Sequence, residues 1–267
     1  MNLPFIFDLI LYNRADTKKE ESMTSNISII HEERNPVRIA LAYGVHLFTA
    51  TGAVWGLLGL RAVFEHDWRM MIVWMIVAML VDSLDGLLAR WLNVKTYAAG
   101  IDGALLDNIV DYLTYVVVPA LFLIEADILP EGLRMFSACV ILLTSAFQFT
   151  QTDAKTDDHY FKGFPSYWNL AVMYLLLMRL EPWINFGLLM LFAVLVFVPV
   201  KYIYPSRNTY LRRLTLILTY LYSVIGIWGF LQYPNVPGWV IWVSLIYLAY
   251  YVVLSLIPKD RKGPHAD

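Results

Sequence analysis

From Leu214 to Pro258 the chain carries no Asp, Glu, Lys or Arg. A helix needs about 20 mostly apolar residues to cross the hydrocarbon of a bilayer, and this stretch is long enough for two. Its middle holds Tyr233-Pro234-Asn235-Val236-Pro237, a sequence that breaks helices. The segment therefore reads as a membrane hairpin. The rest of the chain agrees: 59% of its residues are apolar and 16% charged, against about 45–50% and about 25% in soluble domains. A formal net charge of −2 argues against a nucleic-acid partner, which favours a basic face. Cys139 is the single cysteine, which excludes an intrachain disulfide and a cysteine-based zinc cluster. Nine Trp and seventeen Tyr suit the interfaces of a bilayer, where one end of the ring is apolar and the other wet.

Stretches of spanning length predict eight transmembrane helices, near residues 38–62, 69–91, 103–125, 133–150, 165–180, 182–201, 211–231 and 238–257. Pro130, Gly132, Gly163, Pro165, Pro182 and Pro205 mark several of the breaks. The expectation is an all-α integral membrane protein. Cytoplasmic loops collect Lys and Arg. With the N-terminus inside, Arg14, Lys18, Lys19, Arg34, Arg38, Arg90, Lys95, Lys155, Lys162, Lys201, Arg207, Arg212, Arg213, Lys259, Arg261 and Lys262 are inside. Only Arg61, Arg69, Arg134 and Arg179 are outside, so 16 of the 20 basic residues are inside and both termini are expected in the cytoplasm.

Three segments follow: residues 1–36, a membrane domain over 37–258, and a tail over 259–267. Residues 1–36 do not read as a cleaved signal peptide, because neither a charged start nor a small-residue cleavage site frames an apolar run. Pro4 to Tyr12 is too short to span, and lies flat at the interface or in a free tail.

Asp82 and Asp85 interrupt the second apolar run, and Asp107 and Asp111 the third. A charge at a helix centre costs about 2.5–3.5 kcal/mol on insertion scales, so an intramembrane carboxylate points to function. The spacings of three and four put each pair on one helix face. With Arg90 at the cytoplasmic end, a rise of about 1.5 Å per residue places Asp82 and Asp85 about 8–12 Å inside it. The next span returns from the same side, so the two pairs are expected to face each other near the cytosolic surface. Four carboxylates so close call for protons or cations, and an all-oxygen ligand set suits Mg²⁺ or Mn²⁺. Gly86, Ala89 and Gly103 fall in register with the acids. They serve either close helix packing or the approach of a ligand to bare backbone.

Together these residues spell Asp82-x-x-Asp85-Gly86-x-x-Ala89-Arg90, a spacer, then Gly103-x-x-x-Asp107-x-x-x-Asp111. The pattern resembles the signature of the CDP-alcohol phosphotransferase family, membrane enzymes that join an alcohol to a CDP-activated phosphate and release CMP. Twelve residues separate Arg90 from Gly103, a longer spacer than most of the family has. In this the chain is similar to the bacterial phosphatidylcholine synthase branch, which condenses choline with CDP-diacylglycerol. The stretch from Thr156 to Asn169 (TDDHYFKGFPSYWN) resembles that branch too.

The resemblance implies residue roles. Asp82, Asp85, Asp107 and Asp111 would ligate two Mn²⁺ or Mg²⁺ ions, with Asp111 also the catalytic base. Asp82, Gly86, Ala89, Arg90 and Gly103 would bind the CDP moiety. It also implies a homodimer in the bacterial inner membrane, with its active site toward the cytoplasm. A quaternary ammonium offers no hydrogen-bond donor and is held by aromatic faces at about 0.5–2 kcal/mol each, often beside a carboxylate. Candidates on the cytosolic side are Tyr112, Tyr115, Asp157, Asp158, Tyr160, Phe161, Tyr167 and Trp168. An interfacial aromatic belt is the alternative reading for these rings. His46, alone in the first span, reads as a packing residue. Serine, inositol or glycerol phosphate as acceptor, or a cation transporter built on the four acids, are the alternative functions.

Overall fold

The computed structural model describes residues 35–151, 160–199, 201–203 and 211–256. Its helices are α1 (Pro36–Phe64), α2 (Trp68–Trp91), the one-turn α3 (Val94–Tyr97), α4 (Gly103–Glu125), α5 (Arg134–Thr150), α6 (Trp168–Met178), α7 (Pro182–Leu195), α8 (Arg212–Leu231) and α9 (Gly238–Leu256). A short antiparallel ribbon joins β1 (Tyr160–Lys162) to β2 (Lys201–Ile203), pairing Phe161 with Tyr202.

The helix ends follow from local chemistry. Asn35 accepts the backbone N–H groups of Val37 and Arg38 at 3.0 and 3.3 Å, with Pro36 opening α1. Asp67 accepts the N–H of Met70 at 3.0 Å at the start of α2. Asn93, left-handed at φ 50°, ends that helix, a conformation Asn tolerates better than most residues. Glu181 accepts from Trp183 and Ile184 ahead of Pro182 and so begins α7.

Among the described residues, the helices near the expected spans are not equal. Six are long and apolar enough to cross a membrane: α1, α2, α4, α5, α8 and α9. The expected fifth and sixth spans are shorter, α6 with 11 residues and α7 with 14. Left-handed Ser166 and Arg179 bound α6. The sixth span was expected to reach residue 201, but the helix stops at Leu195 and Lys201–Ile203 pairs as a strand. Gly163 explains the turn. At φ +77° it brings its backbone against the Val196 carbonyl, where a Cβ would collide, and the N–H of Phe164 bonds Leu195 O at 2.9 Å.

The described chain divides into two compact units. The smaller holds residues 35–48 and 84–103, with a core of Ala42, Val45, Val94 and Ala98. In it Arg38 donates to the Tyr97 hydroxyl at 2.9 Å. The larger unit holds residues 49–83 and all described residues from 104 onward. Trp168, Phe122, Met71, Ile72 and Leu123 are fully buried at its centre. There α1 and α4 touch through glycine: a Cβ on Gly56 would stand 2.9 Å from Leu113 Cδ2, and one on Gly52 would overlap Val110. Small residues allow such an approach where no hydrophobic effect drives helices together. Between α8 and α9, Thr215 bonds Tyr250 at 2.9 Å and Thr219 bonds Tyr247 at 2.7 Å, which pairs hydroxyls that lipid would leave unsatisfied.

Candidate active site

Within the larger unit, α2 carries Asp82 and α4 carries Asp107 and Asp111. The four-residue spacing on α4 keeps its two acids on one face, and that face meets Asp82. One carboxylate oxygen from each of the three residues lies within 4.8 Å of the others, at half-buried positions. This fits a divalent cation: three oxygen anions converge, hard ligands of the kind Mg²⁺ and Mn²⁺ take, with room left for water or phosphate oxygens.

Asp85, named as a fourth ligand, follows one turn along α2 and belongs to the smaller unit, where it is buried. Gly86, Ala89 and Arg90 continue that turn. Among the described residues, a side chain added at Gly86 would meet only the Arg90 guanidinium, at 3.4 Å. Gly103 is different. A Cβ there would stand 2.9 Å from His46 Cε1, so close packing against this ring also calls for a glycine. His46 itself is buried, its ring near Tyr43, and its Nε2 has no hydrogen-bond partner among the described residues.

Directly after Asp111 the helix widens into a π-helical stretch, Tyr112–Val117, in which the N–H of Val118 reaches back five residues to Leu113 O. Such bulges recur at functional sites. The Thr114 hydroxyl donates to the Val110 carbonyl at 3.1 Å, which helps satisfy backbone at this irregular point. The bulge sends two tyrosines to different places. Tyr112 donates to the Leu142 carbonyl on α5 at 3.0 Å and meets Phe149 edge-on. Tyr115, 7% exposed, donates to Asp82 Oδ2 at 2.7 Å.

The other rings named for choline also separate. Tyr167 packs edge-on against Tyr115, centroids 6.0 Å apart, and stays 41% exposed. Trp168 is fully buried and its indole N–H donates to Ser145 Oγ at 2.7 Å, a contact that pins α6 to α5. Tyr160 and Phe161 belong to β1, described here by its backbone pairing alone. Asp157 and Asp158 lie outside the described residues. Spacing gave no sign that Tyr115 touches an acid of the cluster; its only trace is a position four residues after Asp111.

The family model for CDP-alcohol phosphatidyltransferases matches residues 46–250. The chain belongs to this family. Among curated relatives, a phosphatidylcholine synthase of Legionella pneumophila is 43% identical over 221 residues, which is 80% of this chain and 87% of the relative. One of Borreliella burgdorferi is 34% identical over 82% of this chain and 95% of its own length. One of Rhizobium meliloti is 32% identical over 85% and 95%. The family is metal-dependent, in keeping with the three converging aspartates. The larger unit thus carries, on α2 and α4, three acids of the family signature together with a tyrosine from the π-helical turn.

Proposed function

We propose that this protein is a phosphatidylcholine synthase, condensing choline with CDP-diacylglycerol to give phosphatidylcholine and CMP. The observation that carries the reading is the convergence of Asp82, Asp107 and Asp111 within 4.8 Å. Asp85 would complete the ligand set, and together these acids would hold two Mn²⁺ or Mg²⁺ ions. Bound there, divalent cations offset the charge of the diphosphate and of the departing CMP. Asp111 accepts the proton of the choline hydroxyl as its oxygen attacks the diacylglycerol-linked phosphorus. The bond from that phosphorus to the oxygen of CMP breaks, and CMP leaves with the electron pair. Asp82, Gly86, Ala89, Arg90 and Gly103 hold the CDP moiety.

For the ammonium, Tyr167 is the ring best placed: it is exposed and packs on Tyr115, which itself bonds Asp82. Tyr160, Phe161, Asp157 and Asp158 complete the choline side, while Tyr115 backs the Tyr167 ring with its own hydroxyl on Asp82. Tyr112 and Trp168 spend their polar groups on Leu142 and Ser145, which favours a framing role for both.

The six long helices with α6 and α7 make eight spans over residues 37–258, α6 and α7 being accommodated by local thinning of the bilayer and snorkelling of flanking residues. Both termini are cytoplasmic, the site opens to the cytoplasm of a bacterial inner membrane, and the enzyme is a homodimer. Membranes carrying the protein, given CDP-diacylglycerol, labelled choline and Mn²⁺, are expected to yield labelled lipid and stoichiometric CMP. Labelled serine, inositol or glycerol phosphate entering lipid in place of choline would move the assignment to that acceptor. Cation uptake without CMP release would mark a transporter.

A further inference from the structure

We propose that Tyr115 is a positioning residue for the metal site, its hydroxyl fixing the Asp82 carboxylate in the orientation that a cation requires. The inference rests on the metal reading of the three aspartates.

A phenol has one proton to donate, and inside a span it must find an acceptor. Two tyrosines of the same π-helical stretch make opposite choices. Tyr112 takes a backbone carbonyl on α5, whereas Tyr115 takes Asp82 Oδ2 at 2.7 Å. That distance is typical of a charge-assisted O–H···O⁻ bond. The donor is itself held. Tyr115 is 7% exposed, part of the main core with Val116 and Val118, and closed on one side by Tyr167. Asp82 belongs to α2 and Tyr115 to α4, so the bond also ties together the two helices that bring the acids.

The effect on the site is geometric. An aspartate in a span turns freely about χ1 and χ2 unless something holds it, and its neighbours Asp107 and Asp111 repel it. A neutral donor on Oδ2 stabilises one rotamer without cancelling the charge, and a carboxylate with about four lone-pair positions has capacity left for a cation. Donors of this kind orient metal ligands, and their loss typically costs about 10–100-fold in metal affinity. The role differs from that of an aromatic wall for choline, because it needs the hydroxyl and not only the ring.

The test uses the full chain in detergent, with Mn²⁺ binding followed by the EPR signal of the free ion. Wild type is compared with Tyr115→Phe, which keeps the ring, Tyr115→Leu, which removes it, and Asp107→Asn. Melting in chelator checks that each variant is folded. Tyr115→Phe is expected to weaken Mn²⁺ binding about 10–100-fold, while the KM for choline at saturating Mn²⁺ stays at the wild-type value. Unchanged Mn²⁺ affinity in Tyr115→Phe overturns the proposal. So does a loss confined to Tyr115→Leu, which would assign the effect to packing of the ring, or a raised choline KM with Mn²⁺ affinity intact. Failure of the wider reading looks different: wild type and Asp107→Asn would then bind Mn²⁺ equally weakly, and the positioning role would fall with it.

Discussion

Replacing Asp107 by Asn separates two roles of the acidic cluster, repulsion without a cation and ligation with one. The three ligand oxygens lie within 4.8 Å of one another. At that distance two unit charges repel by about 3.5 kcal/mol at an effective dielectric near 20, and by about 0.9 kcal/mol in water. The three residues are half-buried, so the true figure falls between these limits. One substitution deletes two of the three pairwise terms, a relief of about 2–7 kcal/mol for the metal-free protein. The bound state loses instead, because Asn offers a neutral oxygen in place of an anion. Thermal unfolding in detergent, followed by tryptophan fluorescence, reads both. In chelator Asp107→Asn is expected to melt at or above the wild-type temperature. With Mn²⁺ at 100 times its dissociation constant, wild type gains about 2.7 kcal/mol and the variant little. A variant that melts lower in chelator yet keeps the full metal-dependent gain would refute the reasoning, since the carboxylates would then be neither mutually repelling nor poised for a cation.

Three further outcomes are expected. Asp111→Asn lowers CMP release by about 10²–10⁴-fold, the usual weight of a general base, while CDP-diacylglycerol binding survives better than in Asp82→Asn; equal loss of binding in both variants goes against the division of roles. Tyr167→Leu raises the KM for choline about 2–30-fold with kcat little changed, as the loss of one aromatic face against a quaternary ammonium requires; steady-state kinetics over a choline series decides it. Trp168→Phe strands Ser145 Oγ in a fully buried position and costs about 1–3 kcal/mol of stability, measured as a lowered melting temperature with Mn²⁺ affinity unchanged.

Much of the architecture was legible because a bilayer imposes length and apolarity on each span separately. The uncharged run from Leu214 to Pro258 yields α8 and α9 on either side of its proline turn. Asp82, Asp107 and Asp111 meet, the last two sharing a face as their four-residue spacing led one to expect. The ends of the fifth and sixth spans were not legible. They depend on Gly163 turning against Val196 and on the pairing of residues 160–162 with 201–203, contacts between positions far apart in the chain. The register of Gly103 with the acids is visible in one dimension, whereas the His46 ring that a Cβ there would meet is not.

The sequence by itself determined the solvent of this protein and the class of its chemistry. Both are local properties: hydropathy is summed over one helix, and a carboxylate in such a helix is anomalous wherever it occurs. Tertiary structure alone decided what holds those carboxylates. The π-helical turn after Asp111 sends Tyr112 to α5 and Tyr115 to Asp82. No residue pattern specifies that choice, because a phenol in lipid takes whichever acceptor packing brings within reach.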